Sequence, residues 1–171
     1  MEQSRRYAVR ILWLLTVVGI CQHVWYWPQL PPTVATHFGV DGRPNDWMSR
    51  GSGTAVLLGF QVVFPWLLMS LVWLIGVLPN SMINIPYRDY WLDSDRRGAT
   101  LAWLGGFLGW IAVATALLMI VLAHMTFRAN VGSGALENGP FLVFVGGYLV
   151  VVLGMTALSF RRFRRPVEKS E

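Results

Sequence analysis

Long apolar runs separated by short polar stretches dominate the chain, and four of them are long enough to matter. A helix that crosses a bilayer needs about 20 consecutive apolar residues. The first run extends from about Ala8 to Trp27 and is closed by Pro28, Pro31 and Pro32, which cannot continue a helix. The second runs from about Thr54 to Leu78, ahead of Pro79 and Asn80, and the third from about Thr100 to Phe127, between Arg97 and Arg128. The fourth runs from about Pro140 to Phe160; Pro140 suits a first helical position, and Arg161 marks the exit. No Asp, Glu, Lys or Arg interrupts the last three runs, and Arg10, near the start of the first, can snorkel to the headgroups. The pattern predicts an all-α integral membrane protein, one domain over 1–171, built as a bundle of four transmembrane helices. The spans fall at about 8–27, 54–78, 100–127 and 140–160, with loops at 28–53 and 79–99 and a tail at 161–171. The first run is expected to be retained. Bulky residues (Cys-Gln-His-Val-Trp-Tyr-Trp) occupy the place where a leader needs a small-residue cleavage site.

Composition agrees with that reading. With 54% hydrophobic and 13% charged residues, the chain lacks the polar skin of a soluble domain, and it is too aromatic and too poorly charged to be disordered. The single cysteine, Cys21, excludes an internal disulfide framework and a cysteine-based zinc cluster. Charge adds an orientation. Eleven cations (Arg5, Arg6, Arg10, Arg88, Arg96, Arg97, Arg161, Arg162, Arg164, Arg165 and Lys169) flank the runs on one side. Only Arg43, Arg50 and Arg128 flank them on the other. The positive-inside rule then puts both termini in the cytoplasm and the 28–53 loop outside. Trp25, Tyr26 and Trp27 form an outer aromatic belt, and Tyr87, Tyr90 and Trp91 an inner one. Anionic lipid is a sufficient partner for the basic tail, so no nucleic acid is needed to explain it.

The outer loop is expected to be compact. Pro31 and Pro32 favour extended geometry, Asp41-Gly42 and Pro44-Asn45 read as turns, and Ser49, Ser52 or Thr54 can cap the second helix. Val34, Phe38 and Trp47 supply an apolar underside. Leu30-Pro31, Thr36-His37-Phe38, Gly42, Pro44-Asn45, Trp47 and Ser49-Arg50 together resemble the signature of a bacterial membrane family. That family is the domain of unknown function catalogued as number sixteen forty-eight, which also forms the N-terminal part of SdpI-type immunity proteins. A second block, Asn84-Ile85-Pro86-Tyr87-Arg88-Asp89-Tyr90-Trp91-Leu92, is similar to the stretch that follows the second span in many relatives. The resemblance covers about Leu30 to Arg97; Ala35 departs from it where a proline is common.

The resemblance implies a bacterial cytoplasmic membrane location. SdpI-type proteins protect a producing cell from its own membrane-active peptide and hold a repressor at the membrane. They carry further spans after the shared domain, to which no counterpart stands out here. The implied ligand or partner residues in the outer loop are His37, Asp41, Gly42, Pro44, Asn45, Trp47 and Arg50. In the inner loop they are Asn84, Pro86, Arg88, Asp89, Tyr90 and Trp91.

Read by themselves, the histidines are the sharpest chemical candidates. His23, His37 and His124 all fall at the outer face, where with Asp41 or Asp46 they would make a metal or proton-exchange site. Their spacing is no ligand motif, so the competing reading carries more weight. There, His23 and His124 bond backbone or each other, and His37 organises its loop through a carbonyl or Asp41. No cofactor is expected. Pro65 should free the Gln61 carbonyl, marking either a polar cavity or, more simply, a Gln61 bonded to another helix. Small residues in the third span (Ala102, Gly105, Gly106, Gly109, Ala112, Ala116) and the fourth (Gly146, Gly147, Gly154) suit close helix packing within the bundle, or a dimer face. The mixed charges Arg88, Asp89, Asp93, Asp95, Arg96 and Arg97 read as a solvated, self-paired platform or a docking surface, with Asp93, Ser94 or Asp95 capping the third span. A phosphate-binding glycine loop, an HExxH helix and a nucleophile elbow are all absent, and no acid lies deep in a span. Three classes follow: a binding or immunity module that meets a peptide toxin and relays its presence, a subunit of a larger membrane complex or oligomer, and an enzyme or transporter using the outer His and Asp residues.

Overall fold

The computed structural model describes residues 2–132 and 134–164; the tail cations Arg165 and Lys169 lie outside the described residues. It is mostly helical. Helices α1 (Glu2–Tyr26), α2 (Arg50–Val77), α4 (Arg97–Val131) and α5 (Asn138–Arg162) are each long and apolar enough to span a membrane. A short helix, α3 (Arg88–Trp91), sits between α2 and α4. Each long helix begins before its apolar run, taking polar residues into its first turn. Ser49 caps α2 by accepting the Ser52 amide at 3.2 Å, so the helix begins at Arg50 rather than near Thr54. Pro140 stands at the third position of α5, not the first, still within the turn whose amides lack intrahelical acceptors. At α4 the N-cap is Arg96 and no side chain caps the helix, contrary to expectation; Asp93 instead accepts the Asp95 and Arg96 amides, at 3.0 Å each, in the turn before it.

The chain is not all-α. Thr33–Phe38 and Pro44–Ser49 form an antiparallel hairpin, β1 and β2, where a compact loop was expected. Pro44 and Asn45 open β2 instead of forming a turn; the reversal is made by Val40 to Gly42, with Gly42 at φ 77°. Val34 is buried, its side chain lying against Gly53 of α2, whereas Trp47 is exposed and forms no underside within the chain.

Helix α4 packs against α1, α2 and α5. Ala8 and Leu12 of α1 meet Ala112, Val113 and Ala116 of α4, with Trp66 and Met69 of α2 alongside. A Cβ at Gly109 would lie 2.9 Å from the Ala8 Cβ, so the small residues of α4 do serve close packing. Those of α5 do not. Gly146, Gly147 and Gly154 have no atom within 4 Å of a built Cβ, and α5 buries none of its residues. Its one cross-helix hydrogen bond among the described residues joins Tyr148 to Thr115 at 3.0 Å.

The cations segregate by end. Arg5, Arg6 and Arg10 lie beside the last turns of α2, Arg88, Arg96 and Arg97 surround α3, and Arg162 stacks on Trp91, 4.4 Å from its ring. Arg97 donates to the Leu78 carbonyl at 3.1 Å and to Asn80 at 2.9 Å, satisfying the open end of α2. Arg43, Arg50 and Arg128 lie at the opposite, hairpin end.

Candidate functional site

The hairpin end is the most elaborately built part of the molecule. Three groups hold the hairpin down. Asn130, in the last turn of α4, accepts the Ala35 amide at 2.6 Å and donates to the Ala35 carbonyl at 2.9 Å. The segment between α4 and α5 takes the turn, with the Leu136 amide donating to the Gly42 carbonyl at 2.8 Å. Asn138, at the start of α5, donates to the Val40 carbonyl at 2.8 Å. At the base, Arg50 donates to the Leu30 carbonyl at 3.2 Å and covers the Trp27 ring at 4.9 Å. Ala35 therefore stands at a consequential place, since a proline there would have no N–H for Asn130.

Between hairpin and helices these clamps leave a largely apolar cleft of about 590 Å³. Thr36, His37 and Phe38 form its strand wall, and Leu136, Phe141 and Leu142 face them. On the other side of α4 a second cleft of about 580 Å³ is lined by Trp25, Tyr26, His124, Arg128 and Glu137.

The histidines have separate partners. His37 meets Asn45 at 2.5 Å, not Asp41, whose carboxylate accepts the Arg43 amide at 3.1 Å inside the turn. His124 meets the Tyr26 hydroxyl at 3.1 Å. His23 is buried, bonds Gln61 at 2.8 Å and lies edge-on to Phe127. Among the described residues neither His23 nor His124 bonds backbone or the other. Among the described residues no group of three His, Cys, Asp or Glu side chains is placed to hold a metal. Gln61 reaches α1, as the simpler reading had it. Besides His23 it approaches Gln22 at 3.4 Å, and it fits because residue 19 is glycine: a Cβ there would lie 2.2 Å from the Gln61 Nε2.

Of the outer-loop candidates, His37 and Asn45 pair across the hairpin, Gly42 is held under Leu136, Arg50 anchors the base, and Pro44 and Trp47 lie on β2, opposite Phe38 and Ala35 of β1. The inner-loop candidates lie at the opposite end of the helices and belong to no common site with them. Trp91 is the best seated, with its carbonyl taken by Thr100 at 2.8 Å and its ring against Phe163. Arg88 pairs with Asp89 at 3.2 Å, Tyr90 lies under Arg96, and Asn84 and Pro86 are exposed. Asn130, Leu136 and Asn138 were not singled out in the sequence. The only signal was an asparagine just beyond an apolar run and another just before one.

Residues 12–62 match the family model described as Domain of unknown function (DUF1648). The match takes in most of α1, the whole hairpin and the first part of α2, and it stops short of the Asn84–Leu92 block. No curated protein and no solved structure matches the chain.

Proposed function

Over residues 12–62 the chain belongs to the DUF1648 domain family, and from that premise we propose a binding module of the bacterial cytoplasmic membrane. Its hairpin faces outward and takes the apolar side of a membrane-active peptide. The observation that carries the reading is the cleft of about 590 Å³ between β1 and the α4–α5 junction. Its volume is within the range of specific ligand sites, roughly 300–1,000 Å³. Its walls are apolar, its rim carries His37 and Asn138, and its strand wall is fixed by hydrogen bonds rather than left to a mobile loop. The orientation is supported by the segregation of nine described arginines to the end opposite the hairpin, against three beside it.

The test uses the protein in lipid nanodiscs, titrated with a panel of cationic amphipathic peptides. At least one should bind, and Phe38→Ala should weaken it about tenfold, the effect of losing ~1.4 kcal/mol of apolar contact. Cells lacking the gene should be more sensitive to that same peptide. A panel that neither binds nor distinguishes the deletion strain would end the reading.

A second reading, subunit of a membrane complex, draws on α5, whose residues are all at least partly exposed and whose Gly146, Gly147 and Gly154 meet nothing among the described residues. A partner helix could approach closely there. Gentle extraction followed by light scattering distinguishes it; a lone monomer counts against a stable assembly.

A further inference from the structure

At the end opposite the hairpin, α1 and α2 border a groove of about 450 Å³ that none of the proposed hairpin chemistry uses. Arg5, Arg6 and Arg10 line it from α1, and Met69 and Trp73 from α2, with Val9 between. Two of the arginines make contacts within the chain. The Arg5 side chain lies against α4, its Cδ 3.3 Å from where a Cβ would stand on Gly105, and Arg6 pairs with Glu2 at 3.1 Å. Glu2 is the single carboxylate that pairs with these arginines among the described residues, and Arg10 has no ion pair there. Arg6 and Arg10 stand four apart on one helix, a spacing at which like charges repel unless an anion lies between them. Beneath the charges the walls are hydrocarbon, and Trp73 is 72% exposed.

We propose that this groove is a binding site for an anionic phospholipid. Its phosphate ester lies between Arg6 and Arg10, and an acyl chain runs along Val9, Met69 and Trp73. A free phosphate would satisfy the guanidiniums but leave the apolar wall and the exposed indole uncovered, whereas a lipid covers both. A basic cluster at a helix pair's membrane edge is the arrangement by which phospholipid headgroups are held.

The test measures phosphatidylglycerol and phosphatidylcholine retained by the purified full chain in mild detergent, by native mass spectrometry. Phosphatidylglycerol should be held preferentially. Each arginine near an anionic headgroup contributes roughly fivefold in affinity, so Arg6→Gln/Arg10→Gln should lose about 25-fold. Arg43→Gln, at the other end, should lose nothing, and millimolar inorganic phosphate should not displace the lipid. If the double variant does not fold, Arg10→Gln alone, which breaks no ion pair, should still show its share of the loss. Undiminished retention in the variants, equal retention of phosphatidylcholine, or displacement by inorganic phosphate would each overturn the proposal.

Discussion

Asn130 meets Ala35 as a neighbouring strand would, its carboxamide accepting the amide and donating to the carbonyl of the same residue. A further bond, Asn130 Nδ2 to the Thr126 carbonyl at 2.9 Å, ties the carboxamide to its own helix. One side chain thereby closes the edge of β1 and fastens the hairpin to α4. Asn130→Ala strips two backbone groups of their partners on a part-buried edge, which costs about 1–3 kcal/mol. The expected result is a lower Tm in detergent and faster amide exchange across residues 33–38. Exchange as slow as in the unaltered chain would show that the strand edge is held by something else. Ala35→Pro should give the same signature, since it removes the donor from the other side.

Gly42 is constrained twice. Its φ of 77° lies in the left-handed region, and a Cβ on it would stand 2.3 Å from the Leu136 carbonyl oxygen. Gly42→Ala therefore needs both a strained backbone, costing roughly 1–2 kcal/mol, and a shift of the segment that clamps the turn. Gly51, in the first turn of α2, has nothing within 4 Å of a built Cβ, and Gly51→Ala should be neutral or stabilising by up to ~1 kcal/mol. Parallel thermal melts of the two variants check the contrast; equal Tm values would contradict the packing described.

The number of long apolar helices and the segregation of the arginines were legible because each is a property of consecutive residues: apolar length, proline stops, charges at the ends. The hairpin was half legible. Pro31-Pro32 announced extended chain and Asp41-Gly42 announced the turn, but Pro44-Asn45 looked like a second turn, when in fact Asn45 bonds His37 across the strands. The clamps were not legible at all. Asn130 and Ala35 are 95 residues apart, and no local pattern encodes which carboxamide reaches which strand edge. The same limit applies to glycines. Gly109 and Gly146 both lie within apolar runs, yet one lies against Ala8 and the other against nothing among the described residues, because α4 is the long helix on which α5 packs.

Gly19 and Gln61 form a matched pair within the helices. Gly19→Ala should push the Gln61 amide aside and leave His23 without its acceptor. Hydrogen bonds between membrane helices average about 0.6 kcal/mol and reach ~1.7 at most, so the loss should be small but measurable. The added steric conflict should make Gly19→Ala worse than Gln61→Ala. The double variant Gly19→Ala/Gln61→Ala should recover stability relative to Gly19→Ala, since the space for the methyl group is then free. A double variant no better than Gly19→Ala would show that the close approach is not what requires glycine.

The proposed outward placement of the hairpin has a direct chemical test. Cys21 is the only cysteine, and Cys21→Ser gives a background in which one introduced thiol reports its own side of the membrane. Val40, at the tip of the hairpin, is fully exposed, and Ser94, between α3 and α4, is exposed as well. With nine described arginines at the Ser94 end, moving that end across the bilayer would set those charges against the positive-inside bias. A thiol in Val40→Cys should therefore react with an impermeant maleimide on intact cells, and one in Ser94→Cys only after lysis. The reverse pattern would turn the hairpin and its cleft toward the cytoplasm and remove the external peptide as a ligand. It would leave the phospholipid groove in place, because that site depends on arginines beside an apolar wall and either leaflet can supply an anionic headgroup.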